Sequence, residues 1–237
     1  MKELAPNVWM LDGLLHFPIC PLNVYLVDDV LIDAATRWHS RHISQQLHGR
    51  RLSMIALTHC HPDHQGAAWR LCRKFDVPLA CHSADAPAMD GSGPMLPQHW
   101  FVKYVGRTVQ GPPWKVSRVL RDGDEIAGFR VFHAPGHTPG HVIFFRESDG
   151  VAIVGDVLAH MSFVTLQPGL RLPPNPFCTD PAQNRRSVEL LYSLRPKLIC
   201  FGHGPPLTRV EQLDWFVERM RKRYAMQNSA HGSSRTS

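Results

Sequence analysis

Residues 58–66 read THCHPDHQG, and they directly follow the compact apolar run Ser53–Leu57, SMIAL. That run shows no polar alternation, the pattern of a strand buried on both faces. Thr58 and Pro62 keep the segment after it out of a helix interior. In an extended turn, residues two apart face the same way, so His59 and His61 can reach one ion. Asp63 and His64 lie past the proline and can aim at a neighbouring point. Imidazole and carboxylate groups without thiolate suit zinc, iron or manganese. Four ligand-type residues in six positions after an apolar strand fit poorly with surface histidines at a helix start. Cys60 falls between two histidines that face the site, so its side chain should point away and pack.

Outward from this segment the chain alternates short strands and helices. Val8–Leu11, Asn23–Val27 and Val30–Ile32 read as strands, with Asp28-Asp29 as a tight turn. Residues 37–48 have helical character, 66–75 read as a helix and 77–81 as a strand. Residues 87–118 hold many prolines and glycines together with Trp100, Phe101, Tyr104 and Trp114, and are expected to form an irregular, ordered lid. Strands are expected over Phe129–His133, Val142–Phe145, Val151–Val154 and Lys197–Phe201. Residues 160–181, Pro-rich from 167 on, form a second candidate lid. A helix should start at Asp180, as N-cap, with Pro181 in its first turn, and end at Leu194. A closing helix follows over Glu211–Tyr224, then a polar tail at 227–237 expected to fray. The two halves repeat one logic, which suggests two similar sheets packed together with helices outside, in a single domain over residues 1–226.

Three more ligand-type residues stand at the ends of apolar runs: His137 in APGHTPGH, Asp156 in IVGD and His203 in CFGHGP. Neighbouring glycines let the backbone approach closely there. With His59, His61, Asp63 and His64, that makes seven candidate ligands, more than one ion needs. A dinuclear centre follows, with Asp156 able to bridge. The 15 histidines of the chain, more than its 11 phenylalanines, fit this emphasis.

THCHPDHQG, GHTPGH, GD and GHG, in this order, resemble the metallo-β-lactamase superfamily over about residues 7–225. The resemblance implies an α/β fold, a four-layer αβ/βα sandwich of two mixed sheets with the metals between the sheets' edges. It implies His59, His61 and His137 on one ion, Asp63, His64 and His203 on the other, and Asp156 shared. Asp33, in VLIDA, matches a position that supports the ligand loop from behind, or else caps a turn. His141 hydrogen-bonds the site or packs at a strand start.

The implied activity is hydrolysis of an ester, thioester, lactone or lactam. Two divalent ions, zinc first and iron or manganese next, would hold a water and lower its pKa toward ~7, so that metal-bound hydroxide attacks. Asp63 can hold the nucleophile's proton as well as bind metal. The resemblance is to the glyoxalase II-like branch. The shared Asp also occurs in acyl-homoserine lactonases and broad esterases and argues against the β-lactamases with Cys at that position. Another β-lactamase branch lacks that Cys too, so β-lactamase or lactonase activity is the alternative. Lactonases that act on acyl-homoserine lactones resemble this chain in HxHxDH, but Ala159 stands where they place a Tyr. The alternative from another class is a mononuclear iron sulfur dioxygenase, against which the full second set of ligands argues. Substrate contacts are expected from Trp100, Tyr104, Trp114, Phe163 and Phe177, which could equally form lid core, and from His160, whose alternative is a surface or structural role.

Composition bounds the rest. In 237 residues with 43% hydrophobic content, a sizeable core can be buried and whole-chain disorder is excluded. No apolar stretch approaches the ~20 residues of a membrane span. The net charge of +6 owes much to Arg219, Arg221, Lys222 and Arg223, read as a solvated helix face, so a small-molecule substrate and no nucleic acid is the expectation. Six cysteines form no CxxC and suggest no disulfide framework. With Asp12 where a signal core would lie, a cytoplasmic protein with reduced thiols is expected.

Overall fold

A computed structural model describes residues 1–16 and 20–233. Two sheets face each other. The first has seven strands in spatial order Lys2–Ala5, Val8–Met10, Tyr25–Val27, Val30–Ile32, Met54–Ala56, Leu79–His82 and Arg118–Leu120. The first four pair antiparallel and the last four parallel. The second sheet orders Glu125–Ile126, Phe129–His133, Val142–Arg146, Val151–Gly155 and Leu198–Phe201, antiparallel except for its last pair.

The period-2 alternation of side chains explains the layering. Tyr25, Val27, Val30, Ile32, Met54 and Ala56 point between the sheets and meet Val131, Phe144, Ile153 and Cys200 of the second sheet. Their neighbours Leu26, Leu31 and Ile55 point outward, onto a layer with α1 (Ser40–Gln46) and α3 (Ala68–Phe75). On the other sheet Ile143, Phe145, Ala152, Val154 and Ile199 point outward under α6 (Pro181–Ser193) and α7 (Glu211–Ser233). Because both faces of each sheet are covered, the strands read as continuous apolar runs. The result is the four-layer αβ/βα sandwich that the motifs imply. No helix among the described residues is long and apolar enough to cross a membrane.

Several boundaries differ from the sequence reading. Residues 62–65 are a short helix, α2 (Pro62–Gln65), with Pro62 in its first turn, so the proline starts a helix where an extended kink was expected. The expected irregular lid at 87–118 contains α4 (Ala86–Asp90), α5 (Trp100–Val109) and the start of an edge strand at Arg118. Pro87 sits in the first turn of α4 and Gly106 within α5, while the other prolines and glycines lie between these pieces and punctuate the helices rather than prevent them. Within the second lid, Ala159–Met161 pairs with Pro168–Arg171 as a two-stranded ribbon. Asp180 caps α6 as expected, its side chain accepting from the Ala182 and Gln183 N–H groups. The closing helix runs on to Ser233, so the tail expected from residue 227 is helical that far, and residues 234–237 of it lie outside the described residues.

Candidate metal centre

The candidate ligands stand at the carboxyl ends of strands, where parallel strands present their loops to one edge of the sandwich. Met54–Ala56 leads into His59–His64, Val151–Gly155 into Asp156, and Leu198–Phe201 into His203, while His137 lies on the loop joining Phe129–His133 to Val142–Arg146. Three overlapping sets result: His59, His61 and His137; His59, His64 and Asp156; and Asp63, His64 and His203. Within each set the ligand atoms lie within 4.8 Å of one another. Asp156 is the centre: its Oδ2 lies 3.6 Å from His137 Nε2 and 3.3 Å from His203 Nε2, and its Oδ1 lies 3.6 Å from His64 Nε2. Asp63 Oδ2 is 3.3 Å from His203 Nε2.

Each of the five histidines has one ring nitrogen held by the surrounding protein. His59 Nδ1 lies 3.0 Å from Thr58 Oγ1, which itself donates to Asp33 Oδ2 at 2.8 Å. His64 Nδ1 meets the same carboxylate oxygen at 2.8 Å. His61 Nε2 meets the Leu96 carbonyl at 2.9 Å, His203 Nδ1 the Pro21 carbonyl at 3.0 Å, and His137 Nδ1 the Cys178 sulfur at 3.6 Å. Such outer partners fix the ring and its tautomer, leaving the other nitrogen to coordinate. On the inner side, His59 Nε2, His64 Nε2, His137 Nε2 and Asp156 Oδ1 are buried with no hydrogen-bond partner. Buried polar atoms rarely go unsatisfied in folded proteins. A cation among them removes that anomaly, so the residues fit divalent metal.

The electrostatics agree. Burial, reinforced by neighbouring imidazoles, holds His59 and His137 well below the ordinary histidine pKa, so both rings stay neutral, the form that coordinates. Burial pulls His64 down too, but the Asp156 and Asp33 carboxylates outweigh it and raise this ring to about 10, so a cation entering there exchanges with a proton. Burial would raise Asp63, yet His203 and His64 hold its carboxyl below the usual range. Close approach also needs a missing side chain: a Cβ on Gly202 would collide with Asp156 Oδ1 and the His64 ring.

The sequence profile of the Metallo-beta-lactamase superfamily matches residues 18–203. The chain belongs to that superfamily. It is 26% identical over 223 residues to the probable metallo-hydrolase YybB of Bacillus subtilis, covering 90% of this chain and 94% of that one. The crystal structure of TTHA1429, a metallo-beta-lactamase family protein from Thermus thermophilus, superposes with a TM-score of 0.68 at 24% identity, over 93% of this chain and 81% of that one. TTHA1623, solved in a di-iron-bound form, gives a TM-score of 0.63 at 31% identity, over 81% of this chain and 94% of the other. Superfamily membership and the hydrolase name of a relative agree with a hydrolase-like protein whose His/Asp cluster could hold divalent metal.

Around the candidate ligands, the remaining expected residues divide. Asp33 does support the ligand loop: its Oδ1 accepts from the Thr58 N–H at 2.8 Å and its Oδ2 serves Thr58 and His64. It does so from a left-handed conformation, φ 64°, that aspartate tolerates better than most residues. His141 meets the candidate ligands in two ways. Its Nε2 accepts from the Asp156 N–H at 3.0 Å, and its ring stacks on His59 at 4.7 Å. Burial pushes its pKa down to about 3, so it stays neutral and can keep accepting.

The substrate candidates fare less evenly. Phe163 sits with its ring 5.1 Å from His203, and Phe177 adjoins Cys178, which touches His137. Trp100 and Tyr104 are exposed on α5, which packs against α2. His160 does not reach a lid surface: it is buried, with Nδ1 on the Pro205 carbonyl at 2.8 Å and its ring against Phe201, so it braces the His203 loop. Trp114 lies elsewhere altogether, in a cleft with Cys72, Asp76 and Pro78. Pro78 precedes the strand Leu79–His82, so that cleft is at the opposite end of the sheet from the ligands.

Five supports escaped sequence reasoning: the Thr58 hydroxyl, Cys178, the Leu96 and Pro21 carbonyls, and Asp85, whose carboxylate touches both ligand loops. Carbonyls carry no side-chain signal, and neither Cys178 nor Asp85 lies in a recognisable motif.

Cys60 is buried in the outer core of the first sheet, away from the ligands, with its thiol raised well above the ordinary value by a hydrogen bond with Cys81 and by burial. Cys60→Ser should therefore keep kcat within about threefold, since the change adds a hydroxyl to a core position without touching the site. Steady-state rates of the two proteins check this. Loss of turnover on alkylating Cys60 while the metals stay bound would give the thiol a chemical role.

Proposed function

We propose that this chain is a dinuclear metal-dependent hydrolase, folded as one domain over residues 1–226, that opens an ester, thioester, lactone or lactam bond of a small molecule. The observation that carries the reading is the paired use of the five histidine rings: one nitrogen of each is engaged by protein, while His59, His64, His137 and His203 also face Asp156 and His61 joins His59 and His137. His59, His61 and His137 would hold one ion, Asp63, His64 and His203 the other, and Asp156 both. Bound there, zinc supplies a Lewis acid for the acyl oxygen and an activated water at neutral pH. Iron is the next choice, and the di-iron form of TTHA1623 keeps it open.

The chain's own residues supply the rest. Asp63 is the most open acidic group of the set, its side chain 27% exposed, and stands 3.3 Å from His203. In this reading it would take a proton from the attacking water and return it to the leaving group. Asp33 and Thr58 keep His59 and His64 aimed, and Phe163 borders the site with apolar surface. The Cys178 thiol beside His137 is not poised as nucleophile: burial raises it to about 12, so it is protonated at neutral pH. Cys60, Cys72, Cys81, Cys178 and Cys200 are free, which supports a reducing compartment such as the cytoplasm.

The test is a hydrolysis screen over thioesters, lactones and β-lactams, each with and without chelator, with metal analysis in parallel. Chelator-sensitive turnover of at least one class is expected. Oxygen uptake with a persulfide substrate and no acyl hydrolysis would move the chain to the dioxygenases.

A further inference from the structure

Asp85 stands at the N-cap of α4, where an aspartate ordinarily accepts from the first N–H groups of its own helix. Here its side chain makes no such bond. It is buried, 3% exposed, and its carboxylate reaches two other segments. Oδ2 accepts from the Cys60 N–H at 3.0 Å and from Thr138 Oγ1 at 2.7 Å, while Oδ1 accepts from the Gly140 N–H at 2.7 Å. Cys60 lies between His59 and His61, on the loop leaving the first sheet. Thr138 and Gly140 lie beside His137, on a loop of the second sheet. The three-histidine set is thus contributed by two sheets, and one carboxylate ties its two halves together.

The fit is tight on the far side as well. A Cβ on Gly140 would stand 2.6 Å from the Asp85 nitrogen and 2.7 Å from its carboxylate carbon, so only glycine lets the loop close on this residue. The other set has its own tie. Asn23 Nδ2 donates to the Phe201 and Gly204 carbonyls at 3.0 and 2.6 Å, and Tyr25 OH to Phe201 at 2.7 Å, which joins the His203 loop to the first sheet. A backbone bond from the Val142 N–H to the Thr58 carbonyl at 2.8 Å holds the sheets together independently of Asp85.

We propose that Asp85 is the positioning residue of the three-histidine set: it fixes His59 and His61 relative to His137, and its loss weakens that ion selectively while the Asp63–His64–His203 set keeps its own. This rests on the metal-dependent reading above. Asn at position 85 keeps the shape but turns one acceptor into a donor that faces N–H and hydroxyl donors.

The experiment measures zinc dissociation constants by competition with a chromophoric chelator, in the full chain. A His203→Ala background isolates the three-histidine set, and a His137→Ala background isolates the other. Asp85→Asn should raise Kd by ~10–100-fold in the first background, the usual cost of losing an outer partner of a metal site. In the second it should change Kd by less than about threefold on the same scale. Asn23→Ala should show the reverse order. Equal rises in both backgrounds, or none in the first, would overturn the assignment. If Asp85→Asn gives no folded protein, Thr138→Val removes only one donor and should give a smaller rise with the same selectivity; a rise without selectivity would count against the clamp. Wild-type chain that binds fewer than two zinc ions would instead sink the dinuclear reading itself. Two ions in wild type with Asp85→Asn unchanged would sink only the clamp.

Discussion

Asp156→Ala should lower kcat by on the order of 10³-fold, about 4 kcal/mol of barrier. Its carboxylate faces His64, His137 and His203 together, so alanine takes a ligand from both proposed ions in one change. The backbone around it should hold, because the Asp156 N–H stays bonded to His141 and the Gly202 N–H to the Gly155 carbonyl. Phe163→Ala is the comparison. That side chain meets only the edge of the site, at the His203 ring, and its loss should appear mainly in KM. Both rates are read at saturating substrate. Equal losses in kcat would contradict a shared role for Asp156.

Chelation should abolish turnover and lower Tm by ~8–16 °C, with both restored by adding the divalent ion back. The size follows from linkage. A ligand that binds the folded state alone, at a thousand times its Kd, contributes ~4 kcal/mol. A chain of this size shifts by ~2–4 °C per kcal/mol. The direction follows from the site: His59, His64 and His137 each bury an Nε2 with no protein partner, which costs ~1–3 kcal/mol apiece when nothing coordinates it. Calorimetry with elemental analysis before and after chelation checks this. An unchanged Tm in protein shown to be free of metal would contradict it.

The fold and the candidate ligands were legible because each rests on local pattern. SMIAL followed by THCHPDHQG announces a buried strand and a ligand loop without any tertiary knowledge, and His137, Asp156 and His203 announce themselves by glycines at strand ends. Residues whose meaning depends on distant partners were harder. Trp114 looked like a lid aromatic until the fold carried it to the far end of the sheet. His160, four residues after Asp156, turned inward to brace Pro205. Asp85 is silent in HSADAP and acquires its role only when two sheets bring Cys60 and Gly140 to its carboxylate. The helix α5 was obscured by the prolines on either side of it, which mark its boundaries.

The central claim is that seven side chains form one dinuclear site. Elemental analysis of protein purified without added chelator, joined to anomalous diffraction at the metal edge, addresses it most directly. Two ions per chain, one among His59, His61 and His137 and one among Asp63, His64 and His203 with Asp156 reaching both, is the expected result. A single ion, with His64 and His203 uncoordinated in the same crystal, would contradict it.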